Sequence, residues 1–560
     1  MRAFVLLFAA ALALPGAVLP GRYFRLMDAA IRGFDASTLK PERPPRVHYF
    51  PGALLVSAVL YAKAHPENPR VGDPAVLALA LKLGDLLADE SEAGIYTARA
   101  DHHRDTYMWL EAYRLLEPKL GEPRRARWRR ELLKLVGDLA RDAATRRDRP
   151  AYTSTFGVSV NHTSLFSSTV YLAGRMFGNR EWQELGAAIL HRYAAEEQSP
   201  DGYWGEHSLN GPTTAYDYLT AAGVALYWEH SQDPAALAAL ERSTAFHKYF
   251  TYPDGNSVMI TDDRRRYAYV SPWAHFGFSH FPDGRRYAEF LTGFLEAGAI
   301  TFEHLGRLAQ DALYYHEGPL APIPQDAERY TRRMTVPAGV RRTGPWVVAL
   351  SGIVAPGYPA SQFFIDRQTS LEVFHQKYGV IVSGANSKRQ PELATFRETV
   401  RGQVYHLPLD SRLRMGDAGD CLSLAYNTFT VDVEPGPPAG AQMPFVFTVR
   451  PKGGGGSRYL TLQLVLKPGE ALETAAGRRV VPSQESVALE PKDLGGEIRH
   501  RGWKLSWEGA ARLAWPVYPY YPYTDAPETS LEFAVATLTF PLDFAPGEKE
   551  RVIRFRLEAR

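Results

Sequence analysis

Four short stretches bring imidazole, phenol, amide and carboxylate groups together with aromatic rings. Asp101-His102-His103-Arg104-Asp105 leads into Tyr107-Met108-Trp109. Val160-Asn161-His162-Thr163-Ser164 stands just before a helical run at 164–177. Asp201-Gly202-Tyr203-Trp204-Gly205-Glu206-His207-Ser208 is followed by Gly211-Pro212-Thr213-Thr214-Ala215-Tyr216-Asp217-Tyr218. Ser271-Pro272-Trp273-Ala274-His275-Phe276-Gly277-Phe278-Ser279-His280 completes the set. Each falls at a helix start or a loop, where binding residues gather on a rigid scaffold. An ordinary imidazole titrates near roughly 6.5 and can exchange a proton near neutrality. Two carboxylates can hydrolyse a glycosidic bond when about 5 Å or about 6.5–9.5 Å apart. Asp105, Asp201, Glu206 and Asp217 are the candidates for that chemistry. Plainer readings stand beside these. His102 and His103 can be solvated, Asn161 a helix cap, Tyr216 a core aromatic, and Glu206 the anchor of a Gly-rich turn. Order and spacing together, rather than any single residue, carry the functional reading.

The elements that would hold these stretches are helical up to about residue 330. Ala53–Ala64, Pro74–Leu87, Tyr107–Leu116, Ala126–Ala144, Ser164–Phe177, Glu181–Glu196, Thr213–Glu229, Pro234–Phe246 and Arg285–Ala297 carry apolar stripes at a 3–4 residue period. Asp73-Pro74 and Asp233-Pro234 pair an N-cap with a first-turn proline. Gly178-Asn179 ends one helix just before the next begins. Short loops favour antiparallel neighbours, so the spacing predicts stacked helical hairpins closed into a ring or an arc. No clean repeat is visible. Beyond a change of texture at 325–340, short β-rich runs take over: Trp346–Leu350, Ser370–Phe374, Gly379–Ser383, Thr428–Val433, Phe445–Val449, Tyr459–Leu466, Leu531–Phe540 and Arg551–Leu557. Gly, Pro and Asp punctuate them, as in a β-sandwich. Lys452-Gly453-Gly454-Gly455-Gly456-Ser457 reads as a hairpin loop between two of these strands. The expected fold class is therefore α+β and multidomain: an N-terminal α/α toroid (an incomplete barrel), then a C-terminal antiparallel β-sandwich.

Composition narrows the function classes. The 560 residues carry 64 basic and 62 acidic side chains, for a net charge of +2. Nothing there resembles the basic stripe of a nucleic-acid binder, so no nucleic acid is expected as partner. The single cysteine, Cys421, excludes an intramolecular disulfide and a multi-cysteine zinc site. At the N-terminus Arg2 precedes the 12-residue apolar run Ala3–Leu14, which Pro15-Gly16-Ala17 breaks. That run is signal-peptide length and short of the roughly 20 residues a membrane span needs. The expected domains are a signal peptide over 1–21, a catalytic toroid over 22–332 and a β-sandwich over 333–560. The expected location is the periplasm or the exterior, with no membrane insertion after cleavage. Nothing in the sequence sets the oligomeric state.

Asn161-His162 opening one helix, and Asp201-Gly202…Glu206-x-Ser208…Tyr216 opening another, resemble the heparinase II/III-like and alginate lyase superfamily of polysaccharide lyases. The resemblance covers the middle of the helical half and, more loosely, the two-part architecture. It implies β-elimination on a uronic-acid polysaccharide, with a catalytic His and Tyr on two helices about as far apart as His162 and Tyr216 are here, 216 − 162 = 54 residues. A base removes the proton at C5, beside the carboxylate, and an acid protonates the leaving oxygen at C4. Donors aimed at the developing charge would supply the largest share of the rate enhancement. The resemblance implies Asn161 as amide donor, His162 as base, and Tyr216 as proton donor, or as base where a neighbouring cation favours the phenolate. Tyr218 is the alternative phenol, roughly 200° away around the same helix. Substrate contacts are expected from His102, His103, Arg104, Tyr203, Trp204, Glu206, His207, Tyr218, Trp273, His275 and His375. Arg104 or the run Arg264-Arg265-Arg266 could hold carboxylates bidentately, although such a run is more often a solvated loop.

One departure is plain. The superfamily often carries His-x-His-x-Asp early in its β domain. Here that region reads Phe374-His375-Gln376-Lys377-Tyr378-Gly379, and later Ser383-Gly384-Ala385-Asn386-Ser387-Lys388-Arg389-Gln390. No metal and no cofactor are therefore expected. Two other readings stay open: a glycoside hydrolase using Glu206 and an Asp, and a non-catalytic exported carbohydrate-binding protein on the same scaffold.

Overall fold

Helix boundaries in the first half follow local chemistry. The computed structural model describes residues 19–32, 34, 49–97, 105–149, 159–205, 211–261, 264–296, 299–354, 366–454, 456–523 and 526–559. Its main helices are α1 (Leu19–Arg32), α2 (Tyr49–Ala62), α3 (Pro74–Glu92), α4 (Thr106–Leu116), α5 (Glu122–Arg146), α6 (Val160–Phe177), α7 (Arg180–Ala195), α8 (Thr214–Ser231), α9 (Pro234–Tyr249), α10 (His275–Phe278), α11 (Pro282–Thr292) and α12 (Phe302–Tyr314). The Asp73 and Asp233 side chains accept from the Ala75 and Ala235 amides at 2.9 and 3.0 Å, each with proline in the first turn. Asn179 caps α7 by accepting from the Trp182 amide. Gly178, at φ 71°, ends α6 in the left-handed conformation that glycine adopts without penalty.

The even-numbered helices form the inner wall. α2 touches α4, α4 touches α6, α6 touches α8, α8 touches α10, α10 touches α12, and α12 packs on α2. Most of the odd-numbered helices lie outside them. Inner neighbours run parallel. Ser164 lies against Gly223 and Tyr171 against Tyr227, so α6 and α8 start at the same end of the toroid. Glycine is required at that crossing: a Cβ on Gly223 would stand 2.8 Å from the Ser164 carbonyl. The close approach offsets the roughly 1 kcal/mol that a mid-helix glycine costs. It holds α6 and α8 in close parallel contact. No described helix is long and apolar enough to cross a membrane.

α12 ends at Tyr314 and the first strand opens at Arg329. Two antiparallel sheets follow. The main path of one runs Arg329–Arg333, Ala338–Thr343, Trp346–Ser351, Leu371–His375, Gly379–Ser383, Arg458–Leu464, Val535–Pro541, Arg512–Val517 and Val487–Leu489. The other runs from Arg479–Val480 through Glu497–His500, Trp503–Trp507, Arg551–Ala559 and Gln442–Pro451 to Asp410–Arg414. The expected hairpin around Gly453–Gly456 is not made. Gln442–Pro451 has both edges filled by Phe429–Pro435 and Arg551–Ala559, while Arg458–Leu464 pairs in the opposite sheet. The glycine-rich loop therefore carries the chain from one sheet to the other.

Strand Trp346–Ser351 is buried on both faces, which explains its continuous apolar run. Trp346, Val348 and Leu350 enter the core between the sheets. Val347 and Ala349 face the helical half with Tyr203, Phe246, Tyr252 and Ile260. Glu372 points the same way and is fully buried. Its carboxyl accepts from Tyr252 Oη at 2.6 Å, the Met259 amide at 3.2 Å and the Gly384 amide at 3.1 Å. Burial pushes this carboxyl from its ordinary 4.5 up to about 7, against those hydrogen bonds. Between those two values the folded state holds a proton that the unfolded state has released. The carboxyl's contribution to stability therefore falls as pH rises through that window, by on the order of 3 kcal/mol, and is level outside it. Glu372→Gln cannot ionise. The wild-type melting temperature minus that of the variant is expected to drop between pH 4.5 and 7. A difference independent of pH would show that Glu372 does not titrate at the domain interface.

Candidate active site

Parallel inner helices bring their first turns to one rim of the toroid, and three of the expected residues sit there. Asn161 is in the first turn of α6 and is buried; its Nδ2 donates to Ser159 Oγ at 3.0 Å. His162, next in that turn, is partly exposed, with its ring 6.2 Å from Phe166. Tyr216 is in the first turn of α8 and partly exposed, and its hydroxyl meets the hydroxyl of Tyr523 from the β domain. The rim is thus roofed by a segment more than 300 residues further along the chain.

The two phenols of α8 face different surroundings, Tyr216 the β domain and Tyr218 the core. Tyr218 turns away from the rim, stacks on His247 at 3.7 Å and bonds through its hydroxyl to Tyr287. Behind it Asp217 Oδ2 lies 2.9 Å from His247 Nε2 in a fully buried pair, and Oδ1 accepts from the Trp204 amide at 2.7 Å. Burial raises the Asp217 carboxyl and the His247 contact opposes this. Together these contacts fix the first turn of α8 against α9 and α11.

The β domain holds the same turn from outside. Arg367, buried, donates to the Pro212 carbonyl and, at 3.3 Å, to the Thr261 carbonyl. Gly211, at φ 109°, a conformation that favours glycine, lies against Ile353 and Arg367. Gly205 pairs with Pro212, so both ends of the 206–210 segment are held at the start of α8. Glu206 and His207 belong to that segment, which lies outside the described residues, as do His102, His103 and Arg104.

The arginine run is not a solvated loop. Arg264 is buried, its guanidinium 5.6 Å from the centre of the Tyr523 ring. Arg265 donates to the Glu532 carbonyl, and burial pushes it down to about 10. Arg266 lies over Tyr521 and Phe533 at 4.1 and 4.0 Å and pairs with Glu528. The run looks solvated in sequence because its cover comes from residues 519–533. The aromatic density of Tyr518-Pro519-Tyr520-Tyr521-Pro522-Tyr523 was the available signal for that cover. Nothing local marks Arg367.

Several expected substrate contacts are core residues instead. Tyr203 packs on Phe246, and burial pushes its phenol up to about 12. Trp204 is buried and donates its indole N–H to the Tyr193 carbonyl at 2.8 Å. Trp273 is buried under the Arg307 guanidinium at 4.0 Å. His275 is fully buried between Tyr23 Oη, 3.0 Å from Nδ1, and the Ser271 carbonyl, 2.9 Å from Nε2. Burial pushes it down to about 4, so it stays neutral. His375 lies in the sandwich, against Trp346 and Tyr378, with Nδ1 accepting from the Lys377 amide. These side chains were singled out for aromatic and imidazole content, which large cores share.

Three of the four carboxylates considered for a hydrolase are buried. Asp105 and Asp217 are fully buried. Asp201 accepts from the Thr335 amide and hydroxyl across the domain interface. Glu206, the fourth candidate, lies outside the described residues.

No protein-family model and no curated protein matches this chain. Solved structures do. The Streptomyces coelicolor A3 chondroitin AC lyase, in complex with chondroitin sulphate, matches with a TM-score of 0.54 at 12% identity, over 99% of this chain and 80% of that one. Heparinase III matches with a TM-score of 0.50 at 12% identity, over 100% and 88%. Both matches run through the helical and the β half together. In fold, this chain is similar to chondroitin AC lyase and heparinase III: a helical toroid followed by an antiparallel β-sandwich.

Proposed function

We propose that this protein is an exported lyase that cleaves a uronic-acid polysaccharide by β-elimination at the rim where α6 and α8 begin. The reading is supported by an amide and an imidazole in the first turn of α6, Asn161 and His162, and a phenol in the first turn of the neighbouring inner helix α8, Tyr216, whose hydroxyl meets Tyr523 beside the buried Arg264. In the reaction the C5–H and C4–O bonds break and a C4=C5 double bond forms. Asn161 donates to the uronate carboxylate, which takes up the charge that develops as the C5 proton leaves. The buried cation of Arg264 favours negative charge on the same side. His162 takes the C5 proton and Tyr216 gives its proton to the departing O4. The likeness to lyases named for chondroitin and heparin supports an acidic polymer as substrate. The burial of Asp105 and the commitment of Asp201 and Asp217 to structural contacts weigh against two-carboxylate hydrolysis.

The test is an ultraviolet-absorbance screen of the purified protein against a panel of uronic-acid polymers. β-Elimination leaves an absorbing unsaturated uronate; hydrolysis leaves only new reducing ends. A rise in absorbance on at least one polymer is expected, abolished in His162→Ala. His207→Ala, assayed beside it, tests the other imidazole near the start of α8: loss there with His162→Ala active would move the base to His207. New reducing ends without absorbance would replace the lyase by a hydrolase. Binding with neither product would leave a carbohydrate-binding protein.

A further inference from the structure

The opposite end of α8 carries a second cluster of functional side chains. Glu229 lies in the last turns of α8, His280 follows α10, and His316 follows α12. One carboxylate oxygen, Glu229 Oε1, is 3.0 Å from His280 Nε2 and 2.8 Å from His316 Nε2. The three ligand atoms all lie within 4.8 Å of one another. An ion bound at about 2.0–2.2 Å from each would need only small rotations of side chains that already converge. The cluster is distinct from the rim: Glu229 is 13 residues beyond Tyr216, about 20 Å along a helix rising about 1.5 Å per residue.

The surroundings hold this geometry. The His316 amide donates to Ser279 Oγ at 2.9 Å, and Ser279 Oγ donates to the Phe276 carbonyl at 2.5 Å. This ties the backbone of His316 beside His280. The indole of Trp228 stands edge-on to His280 at 5.9 Å, and the two imidazoles face each other at 4.1 Å. Glu229 and His280 are about nine-tenths buried, while His316 is 45% exposed and leaves a side open to solvent.

We infer that Glu229, His280 and His316 bind a divalent transition metal ion of the zinc class, clamping α8, the α10–α11 turn and the segment after α12 to one another. Two imidazoles and one carboxylate suit zinc, cobalt or nickel. They do not suit calcium, which takes about six to eight oxygens. The site escapes a motif search because its ligands stand 280 − 229 = 51 and 316 − 280 = 36 residues apart. Only the toroid brings them together.

The experiment uses the full chain, without a histidine tag, stripped with chelator and titrated with zinc by calorimetry. Cobalt absorbance reports the ligand set. One zinc per chain is expected, with a rise in melting temperature that calcium does not produce. His316→Ala, at a half-exposed position, is expected to weaken zinc by at least about 10-fold, in line with what loss of even an outer-shell partner costs. His316→Cys, which restores a zinc ligand, is expected to recover most of that loss. A folded wild-type chain that takes up no zinc, or equal affinity in the wild type and His316→Ala, would overturn the assignment.

Discussion

Tyr216→Phe is expected to lower kcat/KM on the susceptible polymer by about 10²–10⁴-fold, the range for loss of a positioned proton donor. The change deletes one oxygen. The ring keeps its place in the first turn of α8, which the Asp217–His247 pair and Arg367 hold from either side. The loss should therefore fall on kcat, with the melting temperature nearly unchanged, because the interaction is made in the transition state. Tyr523→Phe is the matched control. It removes the partner of the Tyr216 hydroxyl and leaves that hydroxyl in place, so a smaller loss is expected. If Tyr216→Phe kept a third or more of wild-type activity, the phenol would not be the acid.

Asn161→Ala is expected to cost about 10²–10³-fold in kcat, as removal of one preorganised donor at a developing oxyanion does. Asn161→Asp should be worse on an acidic substrate, since it sets a second negative charge beside the uronate carboxylate. Asn161 is buried, so folding must be followed separately by circular dichroism and thermal melting. The pattern that supports its role is a fall in kcat for both variants, deeper for Asp, at matched melting temperature. Equal loss in both, together with a lower melting temperature, would reassign Asn161 to the structure of the α6 start, where it bonds Ser159.

These two predictions rest on residues that were legible in sequence because helix starts are local. An amide and an imidazole before one apolar stripe, and a phenol at the head of another, need only neighbouring residues to be read. The same holds for the Asp73-Pro74 and Asp233-Pro234 caps and the Gly178-Asn179 break, each of which stands where the spacing places it. α12 carries comparable signals, a Thr301 cap and a stripe of Phe302, Leu305, Leu308, Ala309 and Ala312. It adds to the inner wall a helix that the aromatic clusters draw attention away from.

What sequence could not separate was a site aromatic from a core aromatic. Tyr216 and Tyr218 differ by two positions on one helix, yet one meets the β domain and the other is sealed against His247 and Tyr287. Trp204, Trp273 and His275 have the composition of a binding cleft and the burial of a core. Burial depends on which elements cover a residue, and a residue's own neighbours in the chain do not say.

By itself, then, the sequence determined many of the helices and strands, and the three side chains that open α6 and α8, because caps, periodicity and turn residues act over a few positions. Tertiary structure alone decided the rest. It sent the Gly453–Gly456 loop between sheets instead of around a hairpin, because both edges of Gln442–Pro451 already had partners. It buried Arg264 beneath Tyr523, brought Arg367 to the start of α8, and drew Glu229, His280 and His316 to one point. Each of these contacts joins residues tens to hundreds of positions apart, and such contacts form only once the folded domains have met the cost of closing the chain between them.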